Sequence, residues 1–340
     1  MNEWKKRTLT NKKMYYAIKS FLSQVTVVLL DEEKTPLTFY TIRTEDINLG
    51  DSYVAQITEK MPEAKAFFAD IGNGRTVYLT SKQALEIGQR INVVIHKEPR
   101  LGKIAEAKRK GNVLPPKTPI GLLQKGDFLA GVIDAQNYQQ LDWQEEYDEV
   151  AEDALNMYVQ FSDGARLVFE TTHAFHCIDV DSHSCPLPHQ IINEQASVII
   201  GKEIIKRNLS GNILIDFIGQ KRKSDVGNLK NIMSRELCKS PVPYQIMGVS
   251  PMGNVELRRQ RLRTSLADSA RQPTTKAYKL FEEIVKQPVG ISSVHVSLSL
   301  YACLTTLMQK TWELVEAKVG EKVVLVADTQ VSDFKIEYKR

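Results

Sequence analysis

The chain has 340 residues, of which 42% are hydrophobic and 25% charged, and its net charge is +4. This is an ordinary globular composition, and the length predicts about two or three folding units. No run approaches the roughly 18 apolar residues of a membrane span, and the N-terminus has no apolar signal core before a small-residue cleavage site. We therefore expect a cytoplasmic protein without a membrane partner, although the basic residues 4–20 leave an organellar targeting segment as the alternative.

Basic residues form three clusters, at 97–110, 221–223 and 258–263. A single charge run is usually a solvated face of the protein. Three clusters in one chain fit the path of a polyanion better, because phosphate contacts need Lys and Arg along a groove. The four cysteines show no Cys-x-x-Cys spacing and no small-domain disulfide framework, which favours a reducing compartment.

The N-terminal half predicts mainly strands. Residues 25–43 read as two strands joined by a polar turn at Pro36, and residues 50–96 contain several short strands with Gly-marked turns. Short strands at this density are typical of a small barrel of the OB type. Residues 111–125 contain three prolines and predict a linker, and an acidic helical stretch follows to about 156.

The C-terminal half mixes strand and helix signals. Residues 157–180 predict strands, 190–207 have helical spacing, and the largely apolar run 212–218 suits a strand that is buried on both faces. Further along, the pattern predicts a helix around 227–238, strands near 243–257, a helix at 276–286, and a last helix and strand between 304 and 327. The sequence as a whole predicts a mixed α/β class, with α and β segments also partly segregated as in α+β proteins.

Two of the predicted strands end in an aspartate, Asp179 and Asp216. In each, apolar residues lead directly into the acid, which places a carboxylate near the exposed end of a buried strand. Mg²⁺ suits such a place, because it binds one or two protein oxygens and keeps several waters, and a bound metal can activate water against a phosphate. The alternative is that each aspartate caps the following turn or helix, and the pattern alone does not decide between the two.

Three segments resemble the ribonuclease E/G family. Residues 162–182, SDGARLVFETTHAFHCIDVDS, resemble its signature S-G-G-x-L-V-I-x-x-T-E-A-x-x-x-I-D-(I/V)-N-S. Residues 207–218, RNLSGNILIDFI, resemble R-D-L-G-G-x-I-(I/V)-I-D-F-I, and residues 254–266, NVELRRQRLRTSL, resemble G-L-(L/V)-E-M-(S/T)-R-(Q/K)-R-x-x-x-S-L. The resemblance implies that the family's two metal-binding aspartates fall on Asp179 and Asp216, and that Asp181 takes the place of the Asn associated with the metal.

The barrel region resembles the family's S1 domain. Residues 66–72, AFFADIG, match A-A-F-V-D-I-G, and residues 77–79, VYL, match G-F-L. The resemblance implies that Phe68 and Tyr78 stack on RNA bases, the alternative being that either ring is an ordinary core residue. Residues 97–103, KEPRLGK, match the basic K-E-x-x-x-x-K. Two further sets of phosphate contacts are implied: Lys97 and Lys103 here, and Arg259 and Arg261 in the third motif, where pairing with acids inside the protein is the alternative.

The chain departs from the family pattern in several places. Gly219 replaces the second acid of D-F-I-D, and the segment after Asp181 is rewritten as HSCPLPH. Residues 111–156 leave little room for the domain that senses a 5′ monophosphate, so we expect little dependence on the 5′ end. Residues 267–278, ADSARQPTTKAY, contain no cysteine where the family places its Cys-Pro-x-Cys zinc link, so we expect no structural zinc and no oligomer through shared zinc, although an oligomer of another kind stays open. A zinc site built from the residues near Cys177 has no standard spacing, and Cys177 is expected in the core.

The resemblance implies an S1/OB-type β-barrel inserted in an RNase H-like/DNase I-like mixed α/β catalytic part. The implied function is that of a Mg²⁺-dependent endoribonuclease, with Mn²⁺ as an alternative metal, that cleaves single-stranded regions of RNA. The alternatives are an RNA-binding protein of the same fold with weakened catalysis, and a subunit of an RNA-processing assembly. The expected divisions are 1–47, strands packing on the catalytic part; 48–110, the barrel; 111–156, a linker with a reduced 5′-sensor region; and 157–340, the catalytic α/β domain.

Overall fold

The computed structural model describes residues 13–61, 63, 65–81, 83–100, 103–127, 138–162, 164–219 and 223–339. The beginning of the basic N-terminus and residues 221–222 of the second basic cluster lie outside these ranges. None of the helices in the described residues has both the length and the apolar character that crossing a membrane requires.

The first sheet is built at the N-terminus. Its antiparallel strands are β1 (Met14–Phe21), β2 (Gln24–Leu30) and β3 (Pro36–Arg43), and a later strand, β10 (Tyr138–Leu141), pairs with β1 in parallel. Strand β1 lies in the basic N-terminal stretch, where no strand is predicted, and its burial does not alternate along the strand. Helix α1 (Glu146–Asp153), the predicted acidic helix, packs Tyr147 against this sheet.

The second unit is a closed five-stranded barrel. Its strands are β4 (Ser52–Met61), β5 (Ala66–Asp70), β6 (Thr76–Thr80), β7 (Arg90–Lys97) and β8 (Glu106–Leu114). They close in the order β4-β5-β6-β8-β7-β4, in which only β6 and β8 run parallel. Alternate side chains fill the barrel interior, and β9 (Gly121–Gln124), within the predicted linker, adds to the edge of β4.

The third unit is a six-stranded mixed sheet in the order β11-β12-β13-β14-β16-β15. Strands β13 and β14 are parallel neighbours joined by helix α2, and the other pairs are antiparallel. Helix α2 and helix α3 cover one face, where Ile178, Ile213 and Leu257 are buried. The bounds are β11 (Tyr158–Phe161), β12 (Ala165–Thr171), β13 (Phe175–Asp181), α2 (His189–Lys206), β14 (Gly211–Asp216), α3 (Lys223–Leu237), β15 (Tyr244–Val249) and β16 (Val255–Arg259).

The last unit has its own apolar core, separate from that of the six-stranded sheet, so residues 157–340 contain two cores. Its three strands are ordered β18-β17-β19, and its helices pack Phe281, Leu300 and Val315 together. The elements are α4 (Leu266–Ala270), α5 (Pro273–Lys286), β17 (Ile291–Val296), α6 (Leu298–Ala302) continued by a π-helical turn (Cys303–Leu307), α7 (Gln309–Val319), β18 (Val324–Ala327) and β19 (Phe334–Tyr338). The predicted mixed α/β class is confirmed.

Candidate active site and nucleic-acid interface

The six-stranded sheet leaves one face without a covering helix in the described residues. Because side chains alternate across a strand, each buried position on the helix side is followed by one on this side. We call this side the open face, and its central residues are Arg166, Val168 and Glu170 of β12; Phe175, Cys177, Asp179 and Asp181 of β13; Asn212, Leu214 and Asp216 of β14; and Glu256 and Arg258 of β16.

Asp179 and Asp216 are direct neighbours on the open face. The parallel register of β13 and β14 pairs the two residues, and both are exposed. Partial burial and the nearby carboxylates of Asp216 and Asp181 raise the pKa of Asp179 above its ordinary value. A bound cation would offset the negative charge that acts on Asp179 here.

The two aspartates line a cavity of about 330 Å³ on the open face. Glu170 is the register partner of Cys177, so it lies in the row of side chains next to the row that contains Asp179 and Asp216. Asn254 lies directly before β16, at the position that continues the register opposite Asp216. The cavity lining consists of Val168, Glu170, Cys177, Ile178, Asp179, Leu214, Asp216 and Asn254. We refer to this space as the carboxylate cavity.

Asp181 is held by neighbouring groups. Its Oδ2 accepts hydrogen bonds from Arg166 Nε at 2.9 Å and Nη2 at 2.8 Å, and its Oδ1 accepts the backbone N–H of His183 at 2.8 Å. The hydrogen bond from the His183 backbone has the largest effect, and together with the bonds from Arg166 it lowers the pKa of Asp181. The Arg166 guanidinium also stacks over the ring of Tyr158, 5.4 Å from its centroid.

Within the described residues, no three His, Cys, Asp or Glu side chains are grouped closely enough to hold a metal ion. His176 is buried on the helix side and contacts Thr171 Oγ1 through Nδ1 at 3.0 Å, whereas Cys177 lies on the opposite side, in the carboxylate cavity. The expectation that Cys177 points into the core is wrong, because the alternation of β13 that buries His176 and Ile178 turns Cys177 outward. Gly219 occupies a turn with a left-handed backbone (φ 62°), a conformation that glycine adopts without strain.

Phe68 and Tyr78 lie side by side on the outside of the barrel. They are cross-strand partners on β5 and β6, and their rings meet edge to face with centroids 5.9 Å apart. Both are partly exposed, whereas Phe67, their neighbour in sequence, points into the barrel core. The pair therefore offers an aromatic surface to solvent.

A charged network begins beside Tyr78. Glu106, the register partner of Tyr78 on β8, accepts Lys97 Nζ at 2.5 Å and Arg261 Nη2 at 2.7 Å. Burial alone would raise the pKa of Glu106, but these two cations outweigh it and lower the pKa. Arg261 thus pairs with an acid inside the protein, which is the alternative given above for this residue. The same ion pair joins the barrel to the segment after β16. Lys103 is exposed in the loop between β7 and β8.

Arg259 is buried, and this excludes the predicted contact with an RNA backbone in this structure. It is 2% exposed, and its guanidinium donates to Asn208 Oδ1 at 2.9 Å, the Leu209 carbonyl at 3.0 Å and Ser240 Oγ at 3.1 Å. Burial lowers its pKa to about 10. Arg258, the preceding residue, is exposed on the open face.

Motif matching therefore missed two residues of the open face, Arg258 and Asn254. The alternation of β16, with Val255, Leu257 and Arg259 buried, could have identified Arg258 as the outward arginine. No local pattern marks Asn254, because its place beside Asp216 depends on how two distant strands pair.

Comparison with known proteins adds to this geometry. Residues 132–262 match the sequence model of the ribonuclease E/G family, a stretch that contains the six-stranded sheet and both aspartates. The resemblance predicted from the three motifs is confirmed over this stretch.

Individual relatives each match about a third of the chain. Ribonuclease G of Salmonella typhimurium is 30% identical over 119 residues, which are 33% of this chain and 24% of that protein. Ribonuclease E of a Synechocystis species is 31% identical over 127 residues, 36% of this chain and 19% of that protein. A ribonuclease E/G-like protein of Pyropia yezoensis is 33% identical over 109 residues, 30% of this chain and 21% of that protein. The chain thus matches about a quarter or less of the length of these curated relatives.

Proposed function

We propose that this protein is a Mg²⁺-dependent endoribonuclease that cleaves single-stranded regions of RNA. The observation that carries the proposal is the cross-strand pair of exposed carboxylates, Asp179 and Asp216, in a cavity of the sheet that matches the ribonuclease E/G family. The chemistry of the donors fits the metal: two carboxylates and an amide are all hard oxygen ligands, and Mg²⁺ needs only one or two carboxylates because it keeps several waters.

The residues of the open face would have different roles. Asp179 and Asp216 would hold the cation, which when bound supplies charge neutralisation and an activated water. Exposed Arg258 offers a phosphate contact on the same face, and Arg166, fixed by Asp181, offers a second. Together these cations can hold an RNA backbone across the carboxylate cavity.

We propose further that the closed barrel is an S1-type domain that holds the substrate. The paired rings of Phe68 and Tyr78 would stack on bases, an interaction that tolerates any sequence and requires unpaired bases. Lys103, which is exposed, and Lys97, whose side chain is partly exposed beside Glu106, would contact phosphates. Arg261 would act through Glu106 by holding the barrel against the catalytic sheet.

Incubation of the full chain with a structured RNA that carries single-stranded A/U-rich segments tests the proposal. We expect internal cuts in the single-stranded segments with Mg²⁺ or Mn²⁺, and none with EDTA. Cuts that persist in EDTA, or shortening only from the RNA ends, would contradict it.

One observation favours a second candidate, an RNA-binding protein with weakened catalysis. Asp181, which the resemblance placed at the metal, has both carboxylate oxygens committed to Arg166 and His183. In that case the same incubation would leave the RNA intact while the protein binds it, alone or as part of an RNA-processing assembly.

A further inference from the structure

We propose that Asn254 supplies the third protein oxygen of the metal site, in place of Asp181. The inference rests on the proposed function, because it concerns how the same carboxylate cavity holds its cation. It assigns a role to a residue that lies at the end of a hairpin, outside the two strands that carry the aspartates.

The register of the sheet places Asn254 beside the acids. Strand β14 pairs with β16 in antiparallel fashion through Ile215 and Val255, so the next position along each strand sets Asp216 opposite Asn254. The same residue row continues through Asp179 on β13. Two carboxylates and one amide thus follow one another across three adjacent strands, and all three line the carboxylate cavity.

The backbone of Asn254 is fixed while its side chain is available. Its N–H donates to Ser250 Oγ at 3.2 Å and its carbonyl accepts the Ser250 N–H at 2.8 Å, so the hairpin holds the residue at the cavity. Among the described residues, the Asn254 carboxamide has no hydrogen-bond partner. An amide oxygen is a hard ligand of the kind that Mg²⁺ and Mn²⁺ accept, either directly or through a bound water.

Asp181 is less suited to that place. Three hydrogen bonds of 2.8–2.9 Å hold its two oxygens to Arg166 and to the His183 backbone, and the guanidinium would oppose a second positive charge on the same carboxylate. We therefore assign Asp181 to positioning Arg166, and Asn254 to the cation.

Binding of Mn²⁺ to the full chain, followed by the electron paramagnetic resonance of the free ion, tests this assignment without any cleavage assay. We expect Asn254→Ala to raise the Kd for Mn²⁺ about tenfold or more, as loss of a supporting ligand does at other metal sites. Asn254→Asp should lower the Kd, a gain of affinity that a misfolded protein would not show. Asp181→Asn removes a nearby charge but no ligand, so it should raise the Kd less than Asn254→Ala does. The control Asn212→Ala, two residue rows away on the open face, should leave the Kd within about twofold of the unmodified chain.

The outcomes separate the two proposals. If Asp216→Asn abolishes Mn²⁺ binding while Asn254→Ala behaves like Asn212→Ala, the assignment of Asn254 is wrong and the metal site stands. A larger loss for Asp181→Asn than for Asn254→Ala would likewise overturn the assignment. If the unmodified chain binds no Mn²⁺, or if Asp216→Asn does not weaken binding, the proposed function fails together with the inference.

Discussion

Two consecutive arginines on β16 show how much depends on which side of a strand a residue lies. Arg259 points to the helix side and donates three hydrogen bonds to neutral groups, whereas Arg258 points to the open face with the aspartates. The two residues have the same chemistry, so their different roles come from the alternation of the strand alone.

Substitution of the two arginines should give opposite results. Arg259→Ala leaves buried acceptors unpaired and opens a cavity, so we expect the free energy of unfolding to fall by about 3 kcal/mol or more. Arg258→Ala should change stability by less than about 1 kcal/mol and weaken RNA binding instead, with a smaller dependence of the affinity on salt. Urea denaturation and RNA titration of both variants measure this.

The result that would contradict this assignment is the reverse pattern. If Arg259→Ala stays as stable as the unmodified chain and loses affinity for RNA, the buried guanidinium reaches the substrate in another conformation. The pair of variants is its own control, because each removes the same side chain from the same strand.

Among the secondary-structure elements, the hairpin of β5 and β6 creates the aromatic pair on the barrel. That pairing sets Phe68 opposite Tyr78, and the turn between the strands, with φ of 89° at Gly72, lets the hairpin close tightly. The barrel interior takes Phe67 and Leu79 from the same strands. One hairpin thus contributes both to the core and to the exposed aromatic surface.

Removal of one ring tests whether this surface binds RNA. Tyr78→Ala should cost about 1–3 kcal/mol of RNA-binding free energy, because one base loses its stacking partner. Tyr78→Phe keeps the ring and should bind RNA nearly as well as the unmodified chain. Equal affinities of all three proteins for a single-stranded oligonucleotide would exclude the ring from the RNA-binding surface.

The elements also show what the sequence could and could not predict. Strands with clear alternation or an apolar run, such as β4 and β14, and helices with a regular period, such as α5, are where the pattern predicts them. Strand β1 was missed because its buried positions do not alternate, and β9 because three prolines indicate a linker. For the site, the motifs identified the aspartates, but the contacts of Asn254 and Asp181 follow from strand pairing over long sequence distances.

In the whole molecule, a largely buried glutamate, whose side chain is 12% exposed, joins the barrel to the segment after β16. Glu98 accepts the backbone N–H groups of Leu49 at 3.1 Å and Thr264 at 2.9 Å, and the Arg263 guanidinium at 3.2 Å. Burial raises the pKa of Glu98 although Arg263 opposes this shift. The Arg263 guanidinium also lies over the ring of Tyr40 on β3, so three units of the fold meet here.

Loss of this glutamate should loosen the junction. Glu98→Ala leaves a buried cation and two backbone N–H groups without this acceptor, so we expect the free energy of unfolding to fall by about 3–5 kcal/mol. Glu86→Ala is the control, because Glu86 pairs with Lys60 at the exposed surface of the same barrel and should cost about 0–1 kcal/mol. Equal losses in chemical denaturation would show that the junction does not depend on Glu98.

A second contact joins the N-terminal strands to the C-terminal helices. Glu45, just after β3, accepts hydrogen bonds from Ser23 Oγ at 2.8 Å and Thr311 Oγ1 at 2.5 Å, and Tyr278 of α5 contacts the same carboxylate. Residues at the N-terminal sheet and in the C-terminal helices are thereby held together.

Asp179 and Asp216 are proposed to support the cleavage of RNA that other residues bind. A paired measurement of cleavage and binding tests this most directly. Cleavage and binding of the same RNA are followed for Asp216→Asn and for the exposed control Asp153→Asn on α1. Because a metal bound at this site would supply several kcal/mol of transition-state stabilisation, Asp216→Asn should cut at least about a hundredfold more slowly while binding RNA as the unmodified chain does. Undiminished cleavage by Asp216→Asn, with Asp153→Asn also active, would contradict the account.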